Sequence, residues 1–112
     1  MDGTDGLAIE VSEAGSLRLF RLAGEFDMAA VDRFERSLSA DGTSRSPKVV
    51  LDMRELTFID SSGLRAVVMA DQRLRADGGR LIVVKGPARV NEVFEVTGVA
   101  RHLELVDEPP AD

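Results

Sequence analysis

The sequence predicts a single α/β domain in which an opening β-hairpin is followed by alternating helices and strands. Three observations predict this fold class. The length of 112 residues fits one compact domain, apolar residues recur alternately at strand and at helix spacing, and several short runs are apolar on both faces, as buried parallel strands are. We therefore expect a mixed, largely parallel sheet of four to five strands flanked by helices.

The opening hairpin is predicted from two apolar runs. Residues 7–11 alternate apolar with polar or small side chains, and a turn that contains Gly15 separates them from a second run, residues 17–23. The alternation changes phase within the second run, so both of its faces are apolar. We therefore expect this second strand to be central in the sheet and to end at Gly24.

A first helix is predicted after Asp27, which is a good N-cap residue. Its apolar residues Val31, Phe34 and Leu38 share one face, and charged residues occupy the other face. Residues 40–47 contain no large apolar side chain, which is typical of a solvated loop.

The next elements are predicted as strand, helix and strand. Short buried strands are expected at residues 49–51 and 81–84. Residues 54–59 are expected to return the chain from the first of these strands to a second helix, which ends at Gly78-Gly79.

The last elements are a third helix and a short strand. Pro87 suits the first turn of the helix, which is expected to end at Thr97-Gly98, and the strand is predicted around Leu103 and Leu105. The domain is thus predicted to span residues 7–106, with flexible tails at residues 1–6 and 107–112.

The composition excludes several kinds of site. The chain has no cysteine, which excludes disulfide scaffolds, iron-sulfur clusters and cysteine-zinc sites. One histidine, His102, is too few for a histidine-rich metal site, so we expect neither a metal nor another cofactor.

Charge and hydropathy exclude two kinds of partner. The net charge is −6 and the chain has neither Trp nor Tyr, so nucleic-acid binding is not expected. No apolar run approaches the roughly 20 residues that a membrane span requires, and residues 1–6 carry no secretory signal pattern. We expect a cytoplasmic protein with no membrane contact.

The most informative segment, residues 58–64, reads Phe-Ile-Asp-Ser-Ser-Gly-Leu. It places a carboxylate and two hydroxyls where a loop becomes a helix. One interpretation is structural, with Asp60 or Ser61 serving as the N-cap. The other is that Ser61 accepts a phosphoryl group, whose negative charge would face the positive end of the helix dipole.

This segment, together with two others, resembles the STAS domain family in its stand-alone form, the anti-sigma factor antagonists. The other two segments are Gly24-Glu25-Phe26-Asp27 and Val49-Val50-Leu51-Asp52, and the pair Gly78-Gly79 follows them. The likeness covers residues 7–106. The stand-alone family usually adds a helix after its last strand, and this chain departs from that pattern with a short, acidic, proline-interrupted end.

The resemblance implies a partner switch. It implies that Ser61 is phosphorylated by a partner that is both an anti-sigma factor and a GHKL-type serine kinase. The unphosphorylated form binds this partner and releases the sigma factor, and a serine phosphatase resets the switch. The nucleotide and Mg²⁺ belong to the kinase, and the chain itself is expected to be a monomer or a weak dimer.

The resemblance implies a role for Asp27, and residue type and position suggest roles for Ser62 and Arg65. Asp27 is expected to support the phosphorylation of Ser61, and also suits a helix cap. Ser62 is expected to be structural rather than a second acceptor, and Arg65 could pair with the phosphate, pair with a partner carboxylate, or be solvated. The expected switch and partner-binding residues are Asp27, Asp60, Ser61, Ser62, Gly63 and Arg65.

Two other functions are compatible with parts of the sequence. One is a STAS subunit that braces an ABC transporter ATPase in lipid transport, where binding is constitutive and Ser61 is only a cap. The other is a small hydrolase that uses Ser61 or Ser62 with His102 and an aspartate, although the chain has no GxSxG nucleophile motif.

Overall fold

The computed structural model describes residues 6–39 and 48–110. The predicted loop at 40–47 lies outside the described residues, as do residues 1–5 and 111–112 of the predicted tails. The described elements are β1 (Leu7–Ala14), β2 (Leu17–Phe26), α1 (Met28–Ser39), β3 (Lys48–Ile59), α2 (Ser61–Ala76), β4 (Arg80–Val84), α3 (Ala88–Val96) and β5 (Glu104–Val106), with a short 3₁₀ helix at Val99–His102.

The five described strands form one sheet in the order β1-β2-β3-β4-β5. β1 and β2 pair antiparallel as the predicted hairpin, and β2 through β5 are parallel to their neighbours. The predicted mixed, largely parallel sheet is therefore confirmed. β2, predicted to be central, is an inner strand between β1 and β3, and the middle strand of the five is β3.

The main core lies between the helices and one face of the sheet. Phe34 of α1, Val67 of α2 and Phe94 of α3 all join one cluster with residues of the inner strands. A smaller cluster contains Leu17 and Val50, which alternate with the residues of the first cluster along their strands. Because successive strand residues point to opposite faces, this second cluster lies on the other face of the sheet.

The inner strands β2 and β3 are longer than the sequence predicted. β2 does not end at Gly24 but continues to Phe26, and β3 does not end near Leu51 but runs on to Ile59. The prediction that residues 54–59 only return the chain to α2 was therefore wrong. Polar residues interrupt the apolar pattern in this part of β3, so the strand predicted from that pattern was too short.

Two irregularities join these strands of unequal length. Ten residues of β2 face twelve of β3, and the register shifts between Arg21 and Ala23 and again between Gly24 and Glu25. Each shift leaves one extra residue in β3, as in a β-bulge. Gly24 lies at the second shift with a φ of 96°, a left-handed conformation that favours glycine.

The long β3 projects beyond the neighbouring strand. β4 pairs with β3 only as far as Asp52, which faces Val84. Beyond that point β2 is the only described strand that pairs with β3, which ends at Ile59 opposite Phe26. The segment that carries Asp60 and Ser61 is therefore presented at the carboxyl end of this projecting pair of strands.

Candidate functional site

The first turn of α2 is capped by Asp60. Its Oδ1 accepts a hydrogen bond of 3.0 Å from the backbone N–H of Gly63, and its backbone carbonyl accepts one of 2.9 Å from Leu64. The backbone of Asp60 is extended, as an N-cap residue requires. Asp60, rather than Ser61, is thus the N-cap, and Ser61 is the first residue of the helix.

Gly63 allows this turn to pack directly on the end of β2. A Cβ atom at position 63 would lie 2.5 Å from the carbonyl oxygen of Phe26 and 2.9 Å from Cγ1 of Ile59, closer than real Cβ atoms approach such neighbours. The N–H of Asp60 donates to the same Phe26 carbonyl at 3.2 Å. A glycine at this position is therefore required by the close approach of helix and strand.

A second capped helix begins beside the first. Phe26 and Ile59 are paired across β2 and β3, so Asp27 and Asp60 leave neighbouring strands at the same edge of the sheet. Asp27 Oδ1 accepts a hydrogen bond of 3.1 Å from the N–H of Ala29, in the first turn of α1. The sequence-predicted residues Asp27, Asp60 and Ser61 thus belong to two adjacent helix N-termini.

The surface of this site is accessible and mixed in character. Ser61 and Arg65 are exposed, while Ser62 is half-buried and Gly63 is buried. Within the described residues, Arg65 forms no ion pair. Since Arg65 follows Ser61 by four residues, the two side chains share the outer face of α2.

An ion pair between Asp52 and Arg54 lies at the first bulge of β3 and was not predicted from the sequence. Asp52 is only 1% exposed, and its two carboxylate oxygens accept hydrogen bonds of 3.0 and 2.8 Å from the Arg54 guanidinium. Oδ1 also accepts the Arg54 backbone N–H at 3.1 Å. Burial raises the pKa of Asp52, but the hydrogen bonds and charge of Arg54, with the charge of Arg21, outweigh burial and hold this pKa below its usual value.

A side-chain hydrogen bond supports the second bulge. Thr57 Oγ1 donates to the carbonyl of Gly24 at 3.1 Å. The signal that could have indicated both bulges is a glycine inside an apolar strand opposite a run of polar residues. Together these contacts fix the direction in which the end of β3 presents Asp60.

His102 lies far from the two serines. Its carbonyl accepts a hydrogen bond of 2.9 Å from the guanidinium of Arg75. Arg75 is near the end of α2, fourteen residues after Ser61, which corresponds to about 21 Å along the helix. The arrangement of Ser61 or Ser62 with His102 that the hydrolase hypothesis requires is therefore not formed.

The described part of the chain shows no group of three or more acidic or histidine side chains arranged as metal ligands. None of its helices combines the length and apolar character needed to cross a membrane.

Comparison with known proteins shows the family of this chain. The family model described as the STAS domain matches residues 8–109. The chain belongs to the STAS domain family. Its relatives include BtrV of Bordetella bronchiseptica, which is assigned as an anti-sigma factor antagonist; it is 33% identical over 98 residues, which cover 88% of this chain and 76% of BtrV.

Solved structures share the fold of this STAS domain. The anti-sigma factor antagonist from Mycobacterium paratuberculosis superposes with a TM-score of 0.82 at 20% identity, covering 96% of this chain and 92% of that one. The Bacillus cell-fate determinant SpoIIAA in its phosphorylated form has a TM-score of 0.69 at 24% identity, covering 90% and 93%. At these identities the likeness supports the predicted fold class.

Proposed function

We propose that this STAS domain is an anti-sigma factor antagonist that is switched by phosphorylation of Ser61. Its unphosphorylated form binds an anti-sigma factor that is also a GHKL-type serine kinase, and so releases the sigma factor. Phosphorylation ends the binding, and a serine phosphatase restores it. The chain acts in the cytoplasm, catalyses no reaction itself and needs no cofactor, because the kinase brings the nucleotide and Mg²⁺.

One observation carries this proposal: Ser61 is an exposed first residue of a helix whose cap is already supplied by Asp60. Its hydroxyl is therefore not needed to begin the helix. A phosphoryl group on that hydroxyl would lie near the unpaired N–H groups of the first turn, where negative charge is favoured. The helix can thus accept the modification without unfolding.

The surroundings explain why the modification would change binding. A phosphoryl group adds about −1.5 to −2 charges at neutral pH. The site already contains the carboxylates of Asp27 and Asp60, so the added charge raises the cost of covering this surface with a partner. A loss of about 3 kcal/mol would weaken binding by more than a hundredfold.

The contacts that hold the backbone around Ser61 in place also support this proposal, because a kinase requires its serine in a defined position. Gly63 and the Phe26 carbonyl fix the first turn of α2 against the end of β2. Asp27 is held by its own helix, beside the turn that carries Ser61. We propose that Asp27 supports phosphorylation from this position. Ser62 is expected not to be a second acceptor, but its half-buried side chain makes no hydrogen bond within the described residues, so the expected backbone bond in this turn is not formed.

The proposal is tested by affinity capture from a lysate of the native organism, with partners identified by mass spectrometry. The baits are the wild type, Ser61→Ala, Ser61→Asp and the control Ser39→Asp, which adds the same charge to the exposed last residue of α1. We expect a GHKL-type kinase with every bait except Ser61→Asp. The recovered kinase with ATP and Mg²⁺ should phosphorylate the wild type on Ser61 and leave Ser61→Ala unmodified.

Two outcomes would overturn the proposal. Capture of the kinase by Ser61→Asp at the wild-type level would show that charge at this position does not control binding. Capture of one transporter ATPase by all four baits would instead favour the constitutive STAS subunit, with Ser61 as an ordinary helix residue.

A further inference from the structure

An open groove lies between the second half of α2 and the 3₁₀ helix. It is lined by residues of α2 from Val68 to Ala76 and by residues 99–103, and its volume is about 790 Å³. Small-molecule sites usually measure about 300–1,000 Å³. The groove is thus large enough for a ligand, and it lies toward the end of α2 that is remote from Ser61.

The floor of the groove is apolar. Val68, Val99 and Leu103 contribute to its lining. Leu103 is a buried member of the main core, and Val99 packs against that core. Because these side chains are held by the core, they offer a fixed surface on which the carbon skeleton of a ligand can rest.

One wall of the groove holds the guanidinium of Arg75 in a fixed position. The carboxylate of Asp71, whose side chain is only 7% exposed, accepts Nη2 at 2.9 Å and Nε at 3.4 Å. The carbonyl of His102 accepts Nη2 at 2.9 Å. Nη1 donates to none of the described residues. The guanidinium is therefore preorganised across the groove and has a donor to spare for a ligand.

The opposite wall carries a second arginine. Arg101 and His102 line the groove and are exposed. Within the described residues, Arg101 forms no ion pair. Asp71 is the only acidic side chain among the described lining residues, and Arg75 already neutralises it. The groove thus has a positive charge that no described side chain balances.

A second depression beside the groove adds positive charge. It shares Asp71 and Arg75 with the groove and is also lined by Lys48, Arg80 and Glu104. The hydrogen bonds from Arg80 hold the pKa of Glu104 below its usual value; burial opposes this effect, and the charges of Arg80, Lys48 and Arg75 add to it. Three cationic side chains thus act on one carboxylate, in a chain whose net charge is −6. This end of the domain is locally basic and attracts anions.

We propose that the groove binds a small organic anion, whose carboxylate or phosphate group is held by Arg75 and Arg101 and whose apolar part rests on Val68, Val99 and Leu103. A planar guanidinium binds such oxygens through paired, charge-assisted hydrogen bonds. The concave apolar floor between the arginines favours a small molecule over a nucleic acid or a membrane surface. This inference goes beyond the proposed function and does not depend on it.

The proposal is tested by ¹H–¹⁵N NMR titration of the full chain with four probes. Benzoate and phenyl phosphate represent the two anionic groups, benzamide is the neutral analogue, and inorganic phosphate is the anion without an apolar part. We expect benzoate, phenyl phosphate or both to shift the signals of residues 68–76 and 99–103 in a saturable way. The Kd of the tighter probe should be about tenfold lower than the Kd values of benzamide and inorganic phosphate.

Variants assign the binding to the two arginines. Arg101→Gln should raise the Kd of the tighter probe about tenfold. Its matched control is Arg73→Gln, which removes an exposed arginine of α2 that does not line the groove and should bind like the wild type. Arg75 is replaced together with its partner, as Asp71→Asn with Arg75→Gln, so that no unpaired carboxylate stays buried. Urea unfolding of each variant should show that it is folded.

Four results would overturn the proposal. Inorganic phosphate bound as tightly as phenyl phosphate would mean an adventitious ion only. Benzamide bound as tightly as benzoate would mean apolar contact without anion recognition. Equal weakening by Arg73→Gln and Arg101→Gln would mean a diffuse attraction by surface charge. Saturable shifts confined to residues outside the groove would place the binding elsewhere.

Discussion

Gly63 allows the start of α2 to pack closely against the end of β2, next to the start of α1. Alanine would favour the helix by about 1 kcal/mol over glycine in an open position. Here its Cβ would overlap the Phe26 carbonyl oxygen at 2.5 Å and Cγ1 of Ile59 at 2.9 Å. Close packing therefore reverses the ordinary preference, because backbone and a buried side chain must both move to make room.

We predict that Gly63→Ala lowers the free energy of unfolding by about 1–3 kcal/mol, the usual cost of overpacking. Urea unfolding measures the change. The control is Ser62→Ala in the same turn, whose side chain is half-buried and makes no hydrogen bond within the described residues; it should change stability by less than about 0.5 kcal/mol. A Gly63→Ala protein as stable as the wild type would contradict the close approach.

Asp60 has a separate structural contribution, which can be measured apart from any role in binding. Asp60→Ala removes the acceptor for the Gly63 N–H and should cost about 1 kcal/mol. Asp60→Asn keeps an acceptor oxygen in the same place and should cost less. Equal losses for the two variants in urea unfolding would show that the cap hydrogen bond does not stabilise α2.

At the residue scale, the site could be predicted in part. The helix starts at Asp27 and Asp60 were predicted because capping residues have a sequence pattern, whereas the role of Ser61 stays a proposal. Gly63 was found only as part of a motif, since its need for a hydrogen in place of Cβ depends on the Phe26 carbonyl, 37 residues earlier in the chain. Contacts between residues so far apart leave no local pattern.

Among the elements, β3 has the largest difference between prediction and structure. Its first part, apolar on both faces, was recognised, but the continuation to Ile59 was not. Each bulge adds one residue and reverses which side chains face the core, so a strict period of two cannot be followed through it. The helices were predicted well because caps, glycines and a period near 3.6 all agree within each one.

The Asp52–Arg54 ion pair stabilises the first bulge in a pH-dependent way. The pKa of Asp52 is lower in the folded chain than its ordinary value, mainly because burial is outweighed by the hydrogen bonds and charge of Arg54. The pair therefore stabilises the fold above the unfolded-state pKa of about 3.9. This stabilisation is lost as the pH falls through the lower pKa of the folded state.

We predict that Asp52→Asn costs about 1.5–3 kcal/mol at pH 7, the range for a hydrogen bond to a charged group. The difference from the wild type should shrink as the pH is lowered to 3 and below, in urea unfolding at each pH. Glu104→Gln is the comparison, since the Arg80–Glu104 pair is more exposed and should contribute less. A difference that stays constant with pH would rule out the charge of Asp52 as the cause.

For the whole molecule, the order of elements was predictable because hairpin, helix and strand signals follow one another without ambiguity. A right-handed crossover joins parallel strands in nearly all proteins. With strands β2 to β5 in sequential order, this rule places α1, α2 and α3 on the same face, which agrees with their shared core cluster. It also brings the carboxyl ends of β2 and β3 together, and with them the two capped aspartates.

In this architecture the proposed switch is expected to act locally, and a charge-mimicking variant tests that expectation. Ser61→Asp adds negative charge to the first turn of α2 and should leave the free energy of unfolding unchanged or raise it by about 0.3–1 kcal/mol. Ser39→Asp adds the same charge at the last residue of α1, where the helix dipole disfavours it, and should lower stability by a similar amount. In ¹H–¹⁵N NMR spectra, Ser61→Asp should shift signals of the first turns of α1 and α2 only. Shifts that extend to α3 and β5, or a loss of more than about 2 kcal/mol, would mean that charge at Ser61 acts by rearranging the domain rather than by changing its surface.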